Sequence, residues 1–584
     1  MQVRIVDNYC PERCWGIPHI LHPEAGQLSA PGELVPGCTT RLLTHQQRAL
    51  EFIRDLESPH SAITSAFWDS TACNWIRQAF NNMVDSRRTD STIKHTNQAA
   101  ILADDMGLGK MLSSLALIVT SKSAAVTFAN TNDRHAKATL VVCPLLTLAN
   151  WEAEIHKRLD LKLTKYVVYH GAKRTKWSPQ MLWDNNIVLV TYDTVANNYE
   201  FRMDALFEAM WFRIILDEAH LIRDPATKRS KAILALHSQQ KLCLTGTPLQ
   251  NRLNDLYTLL CFIRLDPWGR EEVWQAFKEP NIQRKAPITI ELLQQLLGTF
   301  SLRRLKTDVL QLPPKVKEQV GLQLPAPWRE DYCKQYHDFT EKFGVERSSG
   351  SWDSAEFFQQ LTMLRLYCDH PGLLDPCEYD LPKQDTTWRD SPKIMHLMTD
   401  LMGHLHSEEG GPLSKAVVFS QWTSFLKIVG AALAEAGIPF VQLDGSCSLQ
   451  QRENALTQMR QEPNVRVLLA TVGAGGVEID LTCAQKVYLM VSLPCWNPTL
   501  ENQATDRAYR LGQSCTTQIV RYFIQESIEV NILEIQKRKK ELAHLALDRT
   551  RIIPQDAVRM MMEIIHQQRQ EYLPAAPGAS PPEV

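Results

Sequence analysis

Asp104-Asp105-Met106-Gly107-Leu108-Gly109-Lys110 follows the apolar run Ala99–Ala103 and precedes a helical pattern, which sets a glycine-rich turn between a strand and a helix. A glycine-rich turn between a strand and a helix lets backbone N–H groups approach phosphate oxygens, and the helix adds its positive end. Gly107 and Gly109 supply permissive backbone, and Lys110 can neutralise a phosphate chain. The candidate phosphate site is therefore Asp104, Asp105, Met106, Gly107, Leu108, Gly109, Lys110 and Met111. Taken alone, Gly-x-Gly-Lys also describes an ordinary strand-to-helix turn.

Short β-branched runs alternate with helical segments from about residue 99. Candidate strands are Ala99–Ala103, Thr139–Cys143, Ile187–Tyr192, Phe212–Asp217 and Lys241–Thr245. A second series follows at Ala416–Ser420, Phe440–Leu443, Val465–Ala470, Lys486–Met490 and Gln518–Phe523. Nearly continuous apolar runs are expected of parallel strands covered by helices on both faces. Two such series predict an α/β protein with two doubly wound parallel-sheet lobes. Between them, roughly 255–390, the strand rhythm disappears. Asp255–Ile263, Ile290–Leu297 and Phe357–Tyr367 have helical apolar spacing, which predicts helical insertions.

Further motifs carry chemistry. Asp217 ends the apolar run Phe212–Leu216, so its carboxylate projects from the carboxyl edge of a sheet, as a magnesium ligand would. Glu218 beside it can polarise an attacking water. Thr245-Gly246-Thr247-Pro248 follows another buried strand, and its hydroxyls can sense a terminal phosphate or simply cap the next helix. Gln46, in Leu43-Thr44-His45-Gln46, offers an amide with paired donor and acceptor for adenine. In the second series, Gln503, Arg507 and Arg510 fall at spacings of four and three, which predicts one helix face. Such arginines can stabilise charge in phosphoryl transfer. Gly475 and Gly476, in Gly473-Ala474-Gly475-Gly476-Val477, suit a close backbone approach.

Composition sets bounds. The 584 residues exceed what one core supports, and 44% hydrophobic with 22% charged content is ordinary for a globular protein. A net charge of −2 gives no global signature of nucleic-acid binding, so any such contact must come from a local basic surface. The 14 cysteines form no Cys-x-x-Cys pair, which points to reduced thiols inside a cell. The start, Met1–Asp7, lacks a secretory apolar core, and the longest apolar stretch, Ala138 to Ala149, is too short to span a bilayer. A soluble intracellular protein with no membrane partner is expected.

The set resembles the helicase superfamily-two core, and within it the Swi/Snf-like family of DNA translocases. The resemblance covers roughly residues 40–545 and lies in Asp104–Lys110, Leu216–His220, Leu244–Asn251, Val417–Trp422, Leu443–Ser446, Gly473–Thr482 and Trp496–Gln513. Leu302-Arg303-Arg304-Leu305-Lys306, Cys368-Asp369-His370-Pro371 and Trp496-Asn497-Pro498 are additional marks. The wording around Asp217, with Ile222-Arg223-Asp224, is most similar to the Rad five/sixteen-like subgroup. The resemblance implies two RecA-like lobes, ATP and Mg2+ as cofactors, duplex DNA as partner together with chromatin or other DNA-bound proteins, and a nuclear location. It implies domains at 1–38 (extension), 39–270 (ATP-binding lobe), 271–390 (helical insertion and linker), 391–548 (C-terminal lobe) and 549–584 (helix and disordered tail).

Four departures matter. His370 to Lys393 contains only Cys377, so the ring-finger zinc module common in that subgroup is not expected. Glu478 and Asp480 stand where the family usually has Gly and Asn, placing negative charge near an expected nucleotide or DNA contact. Met111 replaces the usual Ser or Thr after the lysine, and a thioether is a poor ligand for magnesium. Ser113 and Ser114 are turned away by helical geometry. The leading expectation is an ATP-dependent DNA translocase of low turnover. A nucleotide- and DNA-binding scaffold and an RNA helicase are the alternatives.

Overall fold

The computed structural model describes residues 3–8, 32, 34–58, 99–200, 205–246, 253–265, 269–271, 274, 297–343, 354–374, 387–406, 414–475, 479–490 and 499–545. In chain order the strands are β1 (Val3–Asn8), β2 (Ala99–Leu102), β3 (His135–Cys143), β4 (Tyr166–Tyr169), β5 (Ile187–Thr191), β6 (Met210–Leu216) and β7 (His237–Leu244). They continue as β8 (Ser301–Leu302), β9 (Lys315–Leu322), β10 (Ala416–Ser420), β11 (Phe440–Leu443), β12 (Val467–Thr471), β13 (Lys486–Leu489) and β14 (Thr517–Ile524). The chain divides at Leu312 and Pro313 into two compact units, β1 joining the second.

The first unit carries a parallel sheet in the order β4-β5-β3-β6-β7-β2-β8. Every residue of β2 and β5 is buried, as the continuous apolar runs require. Because β6, β7, β2 and β8 are consecutive neighbours, the residues just past their carboxyl ends share one edge. That edge is where ligands bind in open α/β sheets. The helix Lys110–Thr120 leaves it directly after β2, with residues Met111 to Val119 all buried.

The second unit has the order β1-β9-β14-β13-β10-β12-β11, parallel except for β1 against β9. Alternation along β10 divides its core between two faces. Ala416 and Val418 join one buried cluster, while Val417 and Phe419 join the other. Lys393, fully buried at the start of the helix Pro392–His406, donates to Asp369 at 2.7 Å and Glu529 at 2.6 Å. The mark Cys368–Pro371 thus contributes to an interior ion network rather than an exposed site.

Two α/β lobes are present as expected, but the span 271–390 is not purely helical. It contains β8 and β9 as well as the helices Trp328–Phe343 and Ser354–Asp369. β9 pairs in register with β14 from Lys315–Thr517 to Leu322–Ile524. Only its last three residues are buried, so Lys315, Lys317 and Glu318 hide the strand from a search for continuous apolar runs. β8 is two residues long, too short to show any period. Residues 3–8, expected as part of an extension, form the edge strand β1 beside β9. Among the described residues no single helix is long and apolar enough to cross a membrane. Cys377 and the segment 549–584 lie outside the described residues, as does nearly all of Ile290–Leu297.

Candidate functional site

The phosphate loop takes its shape from two glycines in the left-handed region, Gly107 at φ +85° and Gly109 at φ +82°. Gly109 is also the N-cap of the helix Lys110–Thr120, which has no side-chain cap, so its first amides are open to an anion. A Cβ on Gly109 would lie 2.3 Å from Gln46 Nε2. That close approach exists because Gln46 Nε2 donates to Leu108 O at 3.1 Å while its Oε1 accepts from Leu43 N at 3.0 Å. Each end of the amide keeps further capacity for a ligand. His45 Nε2 lies 2.9 Å from Leu108 O and must be its protonated nitrogen, since a carbonyl only accepts. Burial lowers the His45 pKa, so the ring is neutral at pH 7.

Lys110 Nζ donates to Asp104 O at 2.7 Å and Asp105 O at 3.2 Å, across the loop it would share with a phosphate. The carboxylates of the same two residues point elsewhere. Asp104, 2% exposed, is forked by Arg304 Nε at 3.0 Å and by Arg304 Nη2. Asp105 accepts from Lys306 N at 3.2 Å and lies 3.8 Å from Arg303. The two aspartates therefore build the loop, and their backbone faces Lys110.

On the same edge, Asp217 follows β6. Its Oδ2 accepts from Trp151 Nε1 at 2.9 Å and its Oδ1 from Glu218 N at 3.0 Å, while its carbonyl takes Tyr192 OH at 2.8 Å. Burial holds the Tyr192 hydroxyl far above its ordinary pKa, which keeps it a donor. Glu218 adopts φ +49°, strained for a residue with a Cβ, and its Oε2 lies 3.2 Å from His220 Nδ1. Thr245, fully buried after β7, donates its N–H to Leu102 O at 3.1 Å. A Cβ on Gly246 would meet Met106 Cγ at 2.8 Å, so this glycine lets the phosphate loop rest on the Thr245 segment. Thr247 lies outside the described residues.

The first unit thus brings Gln46, residues 104–111, Asp217, Glu218, Thr245 and Gly246 to one edge. Sequence reasoning missed Trp151 and Tyr192, which orient Asp217. It quoted Arg303 and Arg304 without a role. Their signal was the resemblance carried by Leu302–Lys306, since the two-residue strand before them leaves no period to read.

Magnesium fits this donor set poorly. Met111 is 7% exposed and packs in the main core of the unit. Ser113 Oγ donates to Gly109 O at 3.4 Å and Ser114 Oγ to Lys110 O at 2.9 Å, so neither hydroxyl faces the loop. Asp217 stands at this edge with Glu218 beside it, and each Asp217 oxygen accepts one hydrogen bond while keeping a further lone pair.

In the second unit the expected shared helix face does not form. Gln503 lies in the helix Thr499–Thr505, but that helix ends before Arg507, which sits in a turn, and Arg510, which sits in a bend. Tyr509 N bonds back to Thr505 O at 3.1 Å, so the helical spacing continues without helical backbone. Gln503 and Arg507 are buried, at 8% and 5% exposure, and Arg510 is half-buried. Asp480 accepts from Thr482 N at 3.1 Å and Thr482 Oγ1 at 2.8 Å. Burial alone would raise the Asp480 pKa, but those two bonds and the charges of Arg510 and Arg460 bring it below the usual range. Its charge is met from within the lobe. Gly475 ends a short helix Val472–Gly475, while Gly476, Glu478 and Trp496–Pro498 lie outside the described residues.

Comparison with known proteins matches residues 45–373 to the SNF2-related domain and residues 396–512 to the Helicase conserved C-terminal domain. The DNA repair protein RAD5B of Arabidopsis thaliana is 26% identical over 585 residues, covering 77% of this chain and 45% of that protein. The helicase-like transcription factor of Homo sapiens is 30% identical over 526 residues, covering 70% of this chain and 50% of that one. The solved Sulfolobus solfataricus SWI2/SNF2 ATPase core in complex with dsDNA is 25% identical, with a TM-score of 0.35, covering 85% of this chain and 95% of that chain. This chain spans about half the length of these two curated relatives. With the first match alone covering more than half of its 584 residues, the chain belongs to the SNF2-related family of helicase-like ATPases.

Proposed function

We propose that the chain is an ATP-dependent duplex-DNA translocase of the chromatin-remodelling or DNA-repair class, acting in the nucleus with low turnover. The observation that carries the reading is the shared edge past β2, β6 and β7, where the Gly107–Lys110 loop, Asp217 and Glu218 converge. Lys110 exchanges its bonds to Asp104 O and Asp105 O for phosphate oxygens, while the open amides at the helix start hold the chain. Gln46 reads the adenine edge with the capacity its two internal bonds leave. Glu218, whose N–H bonds the Asp217 carboxylate and whose Oε2 lies 3.2 Å from His220 Nδ1, orients the attacking water. Gln503, Arg507 and Arg510 are the second lobe's own candidate catalytic residues. Low turnover follows from Met111, whose side chain belongs to the core.

A second reading, a nucleotide- and DNA-binding scaffold with little hydrolysis, is favoured by the same Met111 packing together with Asp480 beside Arg510. Steady-state ATPase without nucleic acid, with duplex DNA and with RNA separates the readings. DNA-stimulated turnover abolished by Lys110→Ala supports the translocase. Absent turnover that returns in Met111→Thr overturns it in favour of the scaffold, and stimulation by RNA alone favours an RNA helicase.

A further inference from the structure

The segment that leads out of the first unit is fastened to the phosphate loop at Asp104, Asp105 and Leu108 and to the residues flanking it. Arg304 forks the Asp104 carboxylate, and both side chains are nearly inaccessible at 1% and 3%. The same guanidinium donates through Nη1 to His45 O, which holds the turn carrying Gln46. Backbone pairing continues the attachment, Ala103 N donating to Leu302 O at 2.7 Å and Asp105 N to Arg304 O at 3.0 Å, and Lys306 N donates to the Asp105 carboxylate at 3.2 Å. Finally, Leu108 of the loop forms a small separate core with Val309 and Leu310, closed by Leu43 and Leu312. Leu312 is the last residue before the division between the units.

One pair of residues therefore has two jobs. The carbonyls of Asp104 and Asp105 hold Lys110, and their carboxylates hold residues 304–306. A phosphate bound by the loop amides would fix Leu108 and recruit Lys110. Peeling the connector away would then also disturb the phosphate contacts. Opening the connector and emptying the loop are thermodynamically linked, and linkage is reciprocal.

We propose that Arg304 is a positioning residue for the phosphate loop and that residues 304–312 sense whether the loop holds a nucleotide. The proposal rests on the reading of this loop as a nucleotide site, so binding and response must be measured separately. Hydrogen exchange of the full chain, followed in peptides covering 305–312, is compared with and without saturating ADP. Saturation is established independently by displacement of a fluorescent ADP analogue. The expected result is at least threefold slower exchange in that segment with ADP, and none in peptides covering β11. In Leu310→Ala, which leaves Lys110 and the loop backbone in place, ADP should still bind within threefold of wild type while the slowing is lost. Arg304→Lys, which keeps the charge but not the fork, should weaken ADP at least tenfold with unchanged exchange in β11. Saturated ADP with less than 1.5-fold change in 305–312 overturns the sensing claim, as does full slowing in Leu310→Ala. Unchanged ADP affinity in Arg304→Lys overturns the positioning claim. Failure of ADP to bind at all refutes the nucleotide-site reading instead.

Discussion

Replacing Trp151 by Phe separates the indole's role as a wall from its role as a donor. Trp151 is fully buried and gives its indole N–H to Asp217 Oδ2 at 2.9 Å, while Asp217 is 4% exposed. Losing a hydrogen bond to a charged group costs about 1.5–3 kcal/mol. The substitution also deletes roughly a third of the side chain's heavy atoms from a packed site, about 1–1.5 kcal/mol on the scale of larger aromatic truncations. The first unit should lose about 3 kcal/mol in all, read by urea denaturation followed through far-ultraviolet circular dichroism. The donor's share is isolated by a cycle with Asp217→Ala, in which the coupling should be at least about 1.5 kcal/mol. Tyr192→Phe is the volume-neutral control, expected to cost about 1 kcal/mol through the lost bond to Asp217 O. Additivity of Trp151→Phe and Asp217→Ala within about 0.5 kcal/mol would refute the claim that the indole holds this carboxylate.

Glu218→Gln should reduce DNA-stimulated ATPase turnover by about 10²–10³-fold with nucleotide affinity changed less than threefold, since a water-orienting group acts in the chemical step; a parallel loss of affinity would argue for a binding role. Removing divalent metal with EDTA should weaken binding of a fluorescent ATP analogue by less than about fivefold, because Met111 supplies no cation ligand; a loss of a hundredfold or more would contradict the poor fit. Asp369 has its pKa pushed up to about 6, chiefly by burial and also by Glu529, with Lys393 opposing. A carboxyl whose folded pKa exceeds its ordinary 3.8 binds its proton more tightly when folded, so this group's penalty is full above about pH 6 and is relieved as pH falls toward 4. Denaturation of wild type at pH 5.0 and 7.5, compared with Asp369→Asn, should show the flatter pH dependence in the variant; identical slopes would exclude Asp369 as the source.

The central strands were legible because parallel strands between two helical layers must be apolar throughout. β10 and β11 match their expected limits residue for residue, and the loop after β2 stands where the glycines placed it. Peripheral strands were not legible. β9 is half-exposed along its first five residues, so burial imposes no continuous run there. Spacing also misled at Gln503, Arg507 and Arg510, because the interval of a helix persists in a chain of turns after Thr505. Asp104 was read as a ligand contact, but its carboxylate forms an ion pair 200 residues along the chain, which no local pattern can announce.

That separation also has a consequence for the order in which the protein is made. A ribosome releases about 5–20 residues each second, so Asp104 and Lys110 emerge well before their brace. The loop therefore spends much of the synthesis of this unit without Arg304, β8 or the small core around Leu108. A nascent chain halted near residue 270 would display every motif residue of the loop and still lack the arginine that sets its shape. Competence to hold a ligand should arrive late, after residue 312 has cleared the exit tunnel. Fragments ending at the last recognisable loop motif would preserve the phosphate-loop sequence and lose its scaffold.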